Sequence, residues 1–194
     1  MQDSKSPLGK PWVEITREER YFCAELFFEI RKDIKKFIQF LNKYTKLNLA
    51  EDQEWEIGYE VCFYRDYLYD NGIGVKATPF HDKRTFDLCL FSQNPIVVFE
   101  AKVFQNFDEK QLKSLEADII KDISSLLKIS ETSLRISGAL LYSTNKKKPE
   151  IGTIQNLELF TWEDLFNFYP KTKVFKVANE VPLKPKPKRL KAQS

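Results

Sequence analysis

The sequence predicts an α/β (α+β) fold in which helices flank a central β-sheet, and two patterns lead to this prediction. Apolar residues recur at helical spacing between Phe22 and Leu41 and again between Leu112 and Leu126, as they do on the buried faces of amphipathic helices. Separate short runs rich in Val, Ile, Leu and Phe, bounded by turn-forming residues, are typical of strands. The chain has 194 residues, of which 42% are hydrophobic and 14% aromatic, so it can form one domain with a substantial core.

The first half of the chain supplies a long helix and a strand. The helix is predicted over 16–41, where Glu18 and Glu19 in its first turn suit the positive end of the helix dipole. A polar connector covers 42–54. Residues 56–64 combine partial alternation with a β-rich composition, which indicates the first strand.

The second half continues with alternating strands and helices. In chain order we predict strands at 85–91 and 95–104 joined by a turn at 92–95, a helix from Asn106-Phe107-Asp108 to about Lys128, strands at 134–143 and 157–160, and a helix over 162–169. The turn is indicated by Asn94 and Pro95, and the first of these helices by Asp108 as a capping residue. Thr161 is the corresponding cap of the last helix, which Pro170 closes.

The domain is expected to cover 16–180, with a loose arm before it (1–15) and a flexible tail after it (181–194). The tail alternates Pro with Lys and Arg and contains no acid. The chain has a net charge of +3, and five of its cations lie in this tail, so the rest carries −2. A basic tail can contact phosphates, but a solubilising terminus is an equally good interpretation.

The most informative segment is the predicted hairpin, because ionisable residues interrupt its apolar strands. Alternate residues of a strand share a face, so Glu100 and Lys102 point the same way. If the hairpin folds about Gln93-Asn94 without a bulge, Asp87 lies directly opposite Glu100. Residues opposed in this way have Cβ atoms roughly 4.5–5.5 Å apart.

Two carboxylates this close repel each other unless a cation lies between them. Magnesium prefers oxygen ligands and takes one or two carboxylates plus waters, so Asp87 and Glu100 are candidate Mg²⁺ ligands. Lys102 could then hold or polarise a water beside the ion. The alternative is an ordinary cross-strand salt bridge, which would leave the same residues at the same spacing.

Asp87, separated by twelve residues from Glu100-Ala101-Lys102, resembles the signature of the PD-(D/E)xK nuclease superfamily, the restriction-endonuclease-like phosphodiesterases. One departure is Phe86, which stands where the motif has Pro. The resemblance covers about 16–166 and implies a mixed sheet flanked by helices, with a core in the order helix, three antiparallel strands, helix, strand.

The resemblance also implies roles for individual residues. Asp87 and Glu100 would bind Mg²⁺, for which Mn²⁺ can substitute, together with the carbonyl of Ala101, and Lys102 would assist the attacking water. Many members add an acid from the first helix, and Glu19 is the candidate here as a metal ligand. Glu25 and Glu60 are its rivals.

The implied activity is that of a Mg²⁺-dependent endodeoxyribonuclease of restriction, defence or repair type, with DNA favoured over RNA. A homodimer would explain double-strand cutting. One alternative is a non-catalytic nucleic-acid-binding or assembly subunit that keeps its charges as a salt bridge. Another is an interaction protein whose basic tail binds an acidic partner. His81, the only histidine, lies in a polar loop and is not expected to be the base.

Other classes of protein are disfavoured by composition. No run of eighteen apolar residues occurs, so no membrane span is expected, and the polar, Pro-containing start does not indicate a signal peptide. The three cysteines lie in apolar contexts without paired spacing. We therefore expect reduced, buried thiols in a cytoplasmic protein and no zinc site.

Overall fold

A computed structural model describes residues 13, 16, 18–73, 84–127, 134–152 and 154–180. His81 and the basic tail lie outside the described residues, as does the N-terminal arm apart from Val13. The predicted limits of the domain therefore remain predictions.

Helices and strands alternate through the described chain, as the α+β prediction requires. In order they are α1 (Glu19–Lys32), α2 (Ile34–Tyr44), β1 (Glu56–Val61), α3 (Phe63–Asp70), β2 (Phe86–Phe91), β3 (Ile96–Lys102), α4 (Glu109–Ala117), a π-helical turn (Asp118–Asp122), α5 (Ile123–Leu127), β4 (Ile136–Tyr142), β5 (Leu157–Thr161), α6 (Trp162–Phe168) and α7 (Lys173–Glu180).

The five strands form one open, mixed sheet in the order β1-β2-β3-β4-β5. β1, β2 and β3 pair antiparallel with one another, whereas β4 runs parallel to β3 and β5 runs parallel to β4. The predicted hairpin register is confirmed, because Leu88 pairs with Phe99, Cys89 with Val98 and Leu90 with Val97. The same register, extended by one residue, sets Asp87 opposite Glu100.

Helices cover both faces of the sheet, and strand alternation divides the core between them. Leu88, Leu90 and Phe99 face a layer built from α1, α2, α6 and α7. Cys89 and Val98 face a layer built from α3, α4, the π-helical turn and α5. The apolar residues of β3 are therefore divided between the two layers by strand alternation.

The predicted long helix over 16–41 is wrong in two respects. It begins at Glu19, and it breaks at Asp33, whose φ of −157° is not helical. The Asp33 side chain accepts a hydrogen bond from the backbone N–H of Lys36 at 3.0 Å and so caps a separate helix. An aspartate can cap a helix by accepting a hydrogen bond from a backbone N–H of its first turn. The sequence prediction missed this cap because the apolar stripe continues across Asp33.

Two further boundaries differ from the prediction. The first strand ends at Val61, and residues from Phe63 onwards form α3, whose apolar side chains pack beneath the sheet. The helix over 173–180 was not predicted, although Phe175 and Ala178 are buried on one of its faces. The remaining elements lie within two or three residues of their predicted limits.

The three cysteines, Cys23, Cys62 and Cys89, are buried, as predicted. Among the described residues, no helix combines the length and the apolar character that crossing a bilayer requires.

The break between α1 and α2 gives a test of the fold. Replacing Asp33 with Ala removes the side-chain acceptor of the Lys36 N–H and should lower the free energy of unfolding by about 1 kcal/mol. Urea denaturation measures this. Asp52→Ala, at an exposed aspartate in the loop before β1, is the matched control. Equal losses in the two variants would contradict the capping role.

Candidate functional site

The backbone ladder between β2 and β3 stops just where the charged residues begin. Its last paired residues are Leu88 and Phe99. Beyond this pair, the Ala101 N–H donates to a side chain, Asp87 Oδ2, at 2.7 Å and not to a backbone carbonyl of β2. The carboxylate of Asp87 is thereby held against the backbone beside Glu100.

Lys102 is paired with the first helix. Its Nζ donates to Glu19 Oε1 at 2.9 Å, and the neighbouring Val103 N–H donates to Glu19 Oε2 at 2.9 Å. Glu19 therefore uses both oxygens to tie the start of α1 to the end of β3. The Lys102 carbonyl accepts from Trp162 Nε1 at 3.2 Å, so its backbone is held as well.

Glu100 is paired with Arg84, which lies just before β2. Arg84 Nη2 lies 3.0 Å from Glu100 Oε1, but the two are misaligned, and neither atom has a hydrogen-bond partner among the described residues. Arg84 Nε donates to Asp118 Oδ2 at 2.9 Å with good geometry. Its guanidinium carbon also lies 4.8 Å from the centre of the Phe86 ring. Arg84 thus bridges two buried carboxylates.

Asp118 is held by a second hydrogen bond, from Tyr64, and by its place in the π-helical turn. Tyr64 donates a short hydrogen bond to Asp118 Oδ1. Asp118 is the first residue of the π-helical turn, and such turns occur frequently at functional sites. The turn packs closely on the sheet because β4 has Gly138 there; a Cβ at that position would overlap the ends of Ile119 and Leu157.

Glu60 approaches from the edge strand. By register it lies beside Asp87, but its φ of 53° takes the backbone out of the extended region at this position. Its carboxylate lies 3.4 Å from Arg20 Nε on α1. Arg65, five residues after Glu60, pairs with Asp66 instead.

Glu25, the other candidate on the first helix, is half-buried beside Tyr21, whose pKa is raised first by burial and then by Glu25. The described contacts of the site residues do not include it. Gln111 completes the capping box of α4 with Asp108.

Burial and crowding raise the pKa of both central carboxyls. The pKa of Asp87 rises to about 6, chiefly by burial, with Glu19 and Glu60 adding to the effect and the Ala101 N–H and Lys102 opposing it. The pKa of Glu100 rises to about 8, again chiefly by burial; Arg84 opposes this and Asp87 adds to it.

The pKa of Lys102 moves with its surroundings too. Burial alone would lower it, but the carboxylates of Glu19, Asp87 and Glu100 outweigh burial and raise the pKa. Lys102 is therefore an ammonium ion at neutral pH, able to donate hydrogen bonds and unable to act as a base.

Five carboxylates and three cations meet at this end of the sheet. We call them the charged cluster: Glu19, Glu60, Asp87, Glu100, Asp118, Arg20, Arg84 and Lys102. Fully ionised, the charged cluster has a net charge of −2. Neighbouring carboxylates add to the effect of burial in raising the pKa values of Asp87 and Glu100.

No protein-family model matches this chain, and neither does any curated protein or solved structure with which it was compared. The site is therefore interpreted from its own chemistry.

The donor set can be tested against a divalent cation. Among the described residues, no three His, Cys, Asp or Glu side chains are grouped closely enough to form a complete metal site. Asp87 and Glu100 fit the smaller set that Mg²⁺ takes, one or two carboxylates with waters. Glu100 Oε1 is buried without an aligned donor, which leaves a lone pair for a cation.

Three members of this network were not predicted from the sequence. Arg84 lies in a polar segment before β2. Asp118 and Tyr64 lie on helices whose apolar spacing predicts core packing and does not indicate a site. Asp118 immediately precedes Ile119 on the buried face of its helix, and an aspartate at such a position indicates a buried partner. Its partners are 34 and 54 residues away, which spacing alone does not reveal.

The raised pKa of Glu100 predicts a gain in stability for Glu100→Gln. Because the folded state binds the proton more tightly than the unfolded chain, wild-type stability falls as pH rises from 4.5 to about 8. The neutral Gln avoids this loss. The variant should exceed wild type by on the order of 2 kcal/mol at pH 9 and by much less at pH 5.

Urea denaturation at pH 5, 7 and 9 without added metal measures the difference. Glu109→Gln, at an exposed glutamate whose pKa is lowered by Lys113, is the control and should show no trend above pH 5. An advantage of Glu100→Gln that was largest at pH 5 would refute the assignment.

Proposed function

We propose that this protein is a metal-dependent nuclease that hydrolyses phosphodiester bonds in DNA, with Mg²⁺ as its ion and Mn²⁺ as a substitute. The observation that carries the proposal is the charge of the charged cluster. Buried carboxylates normally have matching cations. Here, when every carboxyl is ionised, the cations of the charged cluster fall two charges short, which is the charge of one divalent ion.

The order of elements supports a restriction-endonuclease-like core. A helix (α1) precedes three strands paired antiparallel (β1 to β3), then come a helix (α4) and a strand (β4) that runs parallel to β3. The additional helix α3 lies between the first two strands. Asp87 and Glu100 lie on β2 and β3, side by side at one end of the sheet.

Asp87 and Glu100 would hold the ion, with the carbonyl of Ala101 as a further oxygen ligand. When bound, the ion would supply a Lewis acid for the phosphate and lower the pKa of a water. Lys102, a fixed ammonium ion, would donate hydrogen bonds to that water or to charge developing on the phosphate.

Glu19 would fix the position of Lys102. Both of its oxygens already accept hydrogen bonds, so coordinating an ion as predicted would require it to give up Lys102 or the Val103 N–H. A glutamate that orients the ammonium ion is consistent with the observed contacts and with catalysis by Lys102.

The surface beside the charged cluster could accept a phosphate backbone. Phe107 lies 5.9 Å below Lys102 Nζ and lines a cleft of about 240 Å³ together with Lys147 and Lys148. Aromatic and cationic side chains are a common combination for binding nucleic-acid strands. Glu109 and Glu150 also line the cleft, so its charge is mixed. A homodimer, which would allow both DNA strands to be cut, and a cytoplasmic location belong to the same proposal.

The observed ion pairs favour one second candidate. Lys102 pairs with Glu19, and Arg84 with Glu100 and Asp118, as in a protein that keeps these charges for structure. Such a protein would be a non-catalytic nucleic-acid-binding or assembly subunit. It would require neither a divalent ion nor a free lone pair on Glu100.

The nuclease proposal predicts metal-dependent cutting of plasmid and single-stranded DNA that EDTA abolishes. Asp87→Ala and Lys102→Ala should each lower the cleavage rate by about 100-fold or more, because one removes an ion ligand and the other a donor to the transition state. Gel assays with Mg²⁺ and with Mn²⁺ measure the rate.

Asp66→Ala and Lys113→Ala, which remove exposed members of ordinary ion pairs, are the matched controls and should cut like wild type. DNA binding without cutting, unchanged in all four variants, would favour the non-catalytic subunit. Absence of both activities would exclude both candidates.

A second prediction separates the two roles of Glu19. Glu19→Gln should slow cleavage by about 100-fold, because Lys102 loses its ionic partner, while Mn²⁺ affinity stays within about threefold of wild type. Calorimetric titration with Mn²⁺ measures the affinity. If Glu19 is itself a ligand, the affinity will fall as far as it does in Asp87→Asn.

A further inference from the structure

Arg84 contacts Glu100, a candidate metal ligand, without a hydrogen bond. Its Nη2 lies 3.0 Å from Glu100 Oε1, yet both atoms are buried and lack aligned partners among the described residues. An ion contact of this kind neutralises charge and leaves the directional bonding of both groups unused.

The rest of the Arg84 side chain is firmly held. Its Nε hydrogen-bonds Asp118 at 2.9 Å, its guanidinium lies over the Phe86 ring, and Asp118 is in turn held by Tyr64. Only the Nη2 end faces Glu100. The side chain is thus fixed near its middle and can exchange partners at its tip.

We infer that Arg84 is a tethered cation that holds Glu100 while no divalent ion is bound, and that an entering ion displaces its tip from Glu100. This inference rests on the proposed function. In it Arg84 is a positioning residue that sets metal affinity: it keeps the folded protein stable without the ion, and it competes with the ion for the same oxygen.

Asp118 has the opposite effect on affinity. It shares the charge of Arg84 and draws the guanidinium away from Glu100 through an aligned hydrogen bond. Without the Asp118 carboxylate, Glu100 would be the one acidic partner of Arg84 among the described residues, and Arg84 would compete more strongly. The two residues should therefore shift metal binding in opposite directions.

Calorimetric titration of the purified protein with Mn²⁺ tests this, with Mn²⁺ electron paramagnetic resonance as an independent measure of free ion. Arg84→Gln should bind Mn²⁺ at least about tenfold more tightly than wild type, because a nearby cation repels the ion and occupies its ligand. Asp118→Asn should bind at least about threefold more weakly. Arg65→Gln, at an exposed arginine paired with Asp66, should match wild type.

The outcomes separate the two proposals. If wild type binds Mn²⁺ but Arg84→Gln does not bind more tightly, or if both variants bind more weakly, Arg84 merely supports the fold and the inference is overturned while the nuclease proposal stands. If wild type binds no Mn²⁺, both are overturned.

Arg84→Gln leaves two buried carboxylates without their cation and could fail to fold. In that case Arg84→Lys takes its place, because a lysine keeps the charge but cannot bridge Asp118 and Glu100 with a planar fork. It should bind Mn²⁺ more tightly than wild type, and weaker binding would overturn the inference.

Discussion

The register between β2 and β3 is the constraint on which the rest of the site depends. A shift of one residue would put Asp87 and Glu100 on opposite faces of the sheet, because strand side chains alternate. The observed register instead places the two carboxyls together where the ladder ends. There, the Asp87 side chain satisfies the Ala101 N–H in place of the backbone of β2. The pairing of β2 with β3 therefore determines where these two carboxyls lie.

The fold tolerates this charge at a cost in stability. Two layers of apolar helices remove water from the carboxyls, which raises their pKa, and three basic side chains compensate only part of the charge. The left-handed backbone of Glu60 adds strain in the same place. Residues that weaken a fold at one point, yet are held by many contacts, are typical of sites that bind or react.

The sequence was sufficient for those parts of the site that depend on local spacing. The period of a strand and the turn at Asn94-Pro95 determine the position of Asp87 relative to Glu100, and the capping residues determine the starts of α4 and α6. It was insufficient where partners are distant. Lys102 meets Glu19 across 83 residues, and Arg84 meets Asp118 across 34, so neither pairing has a local pattern. The break at Asp33 was concealed because the apolar stripe continues through it.

The support behind Lys102 has a consequence for how the protein is made. Its carbonyl accepts a hydrogen bond from Trp162, which lies 60 residues further along the chain. The next carbonyl, that of Val103, lies 3.1 Å from the Ser143 hydroxyl, and this hydroxyl also lies 2.7 Å from the Ala178 carbonyl. On a ribosome the hairpin can close well before these residues emerge. The nascent chain therefore carries the acidic pair and the lysine without the framework that holds them, and the site matures only when the C-terminal helices dock.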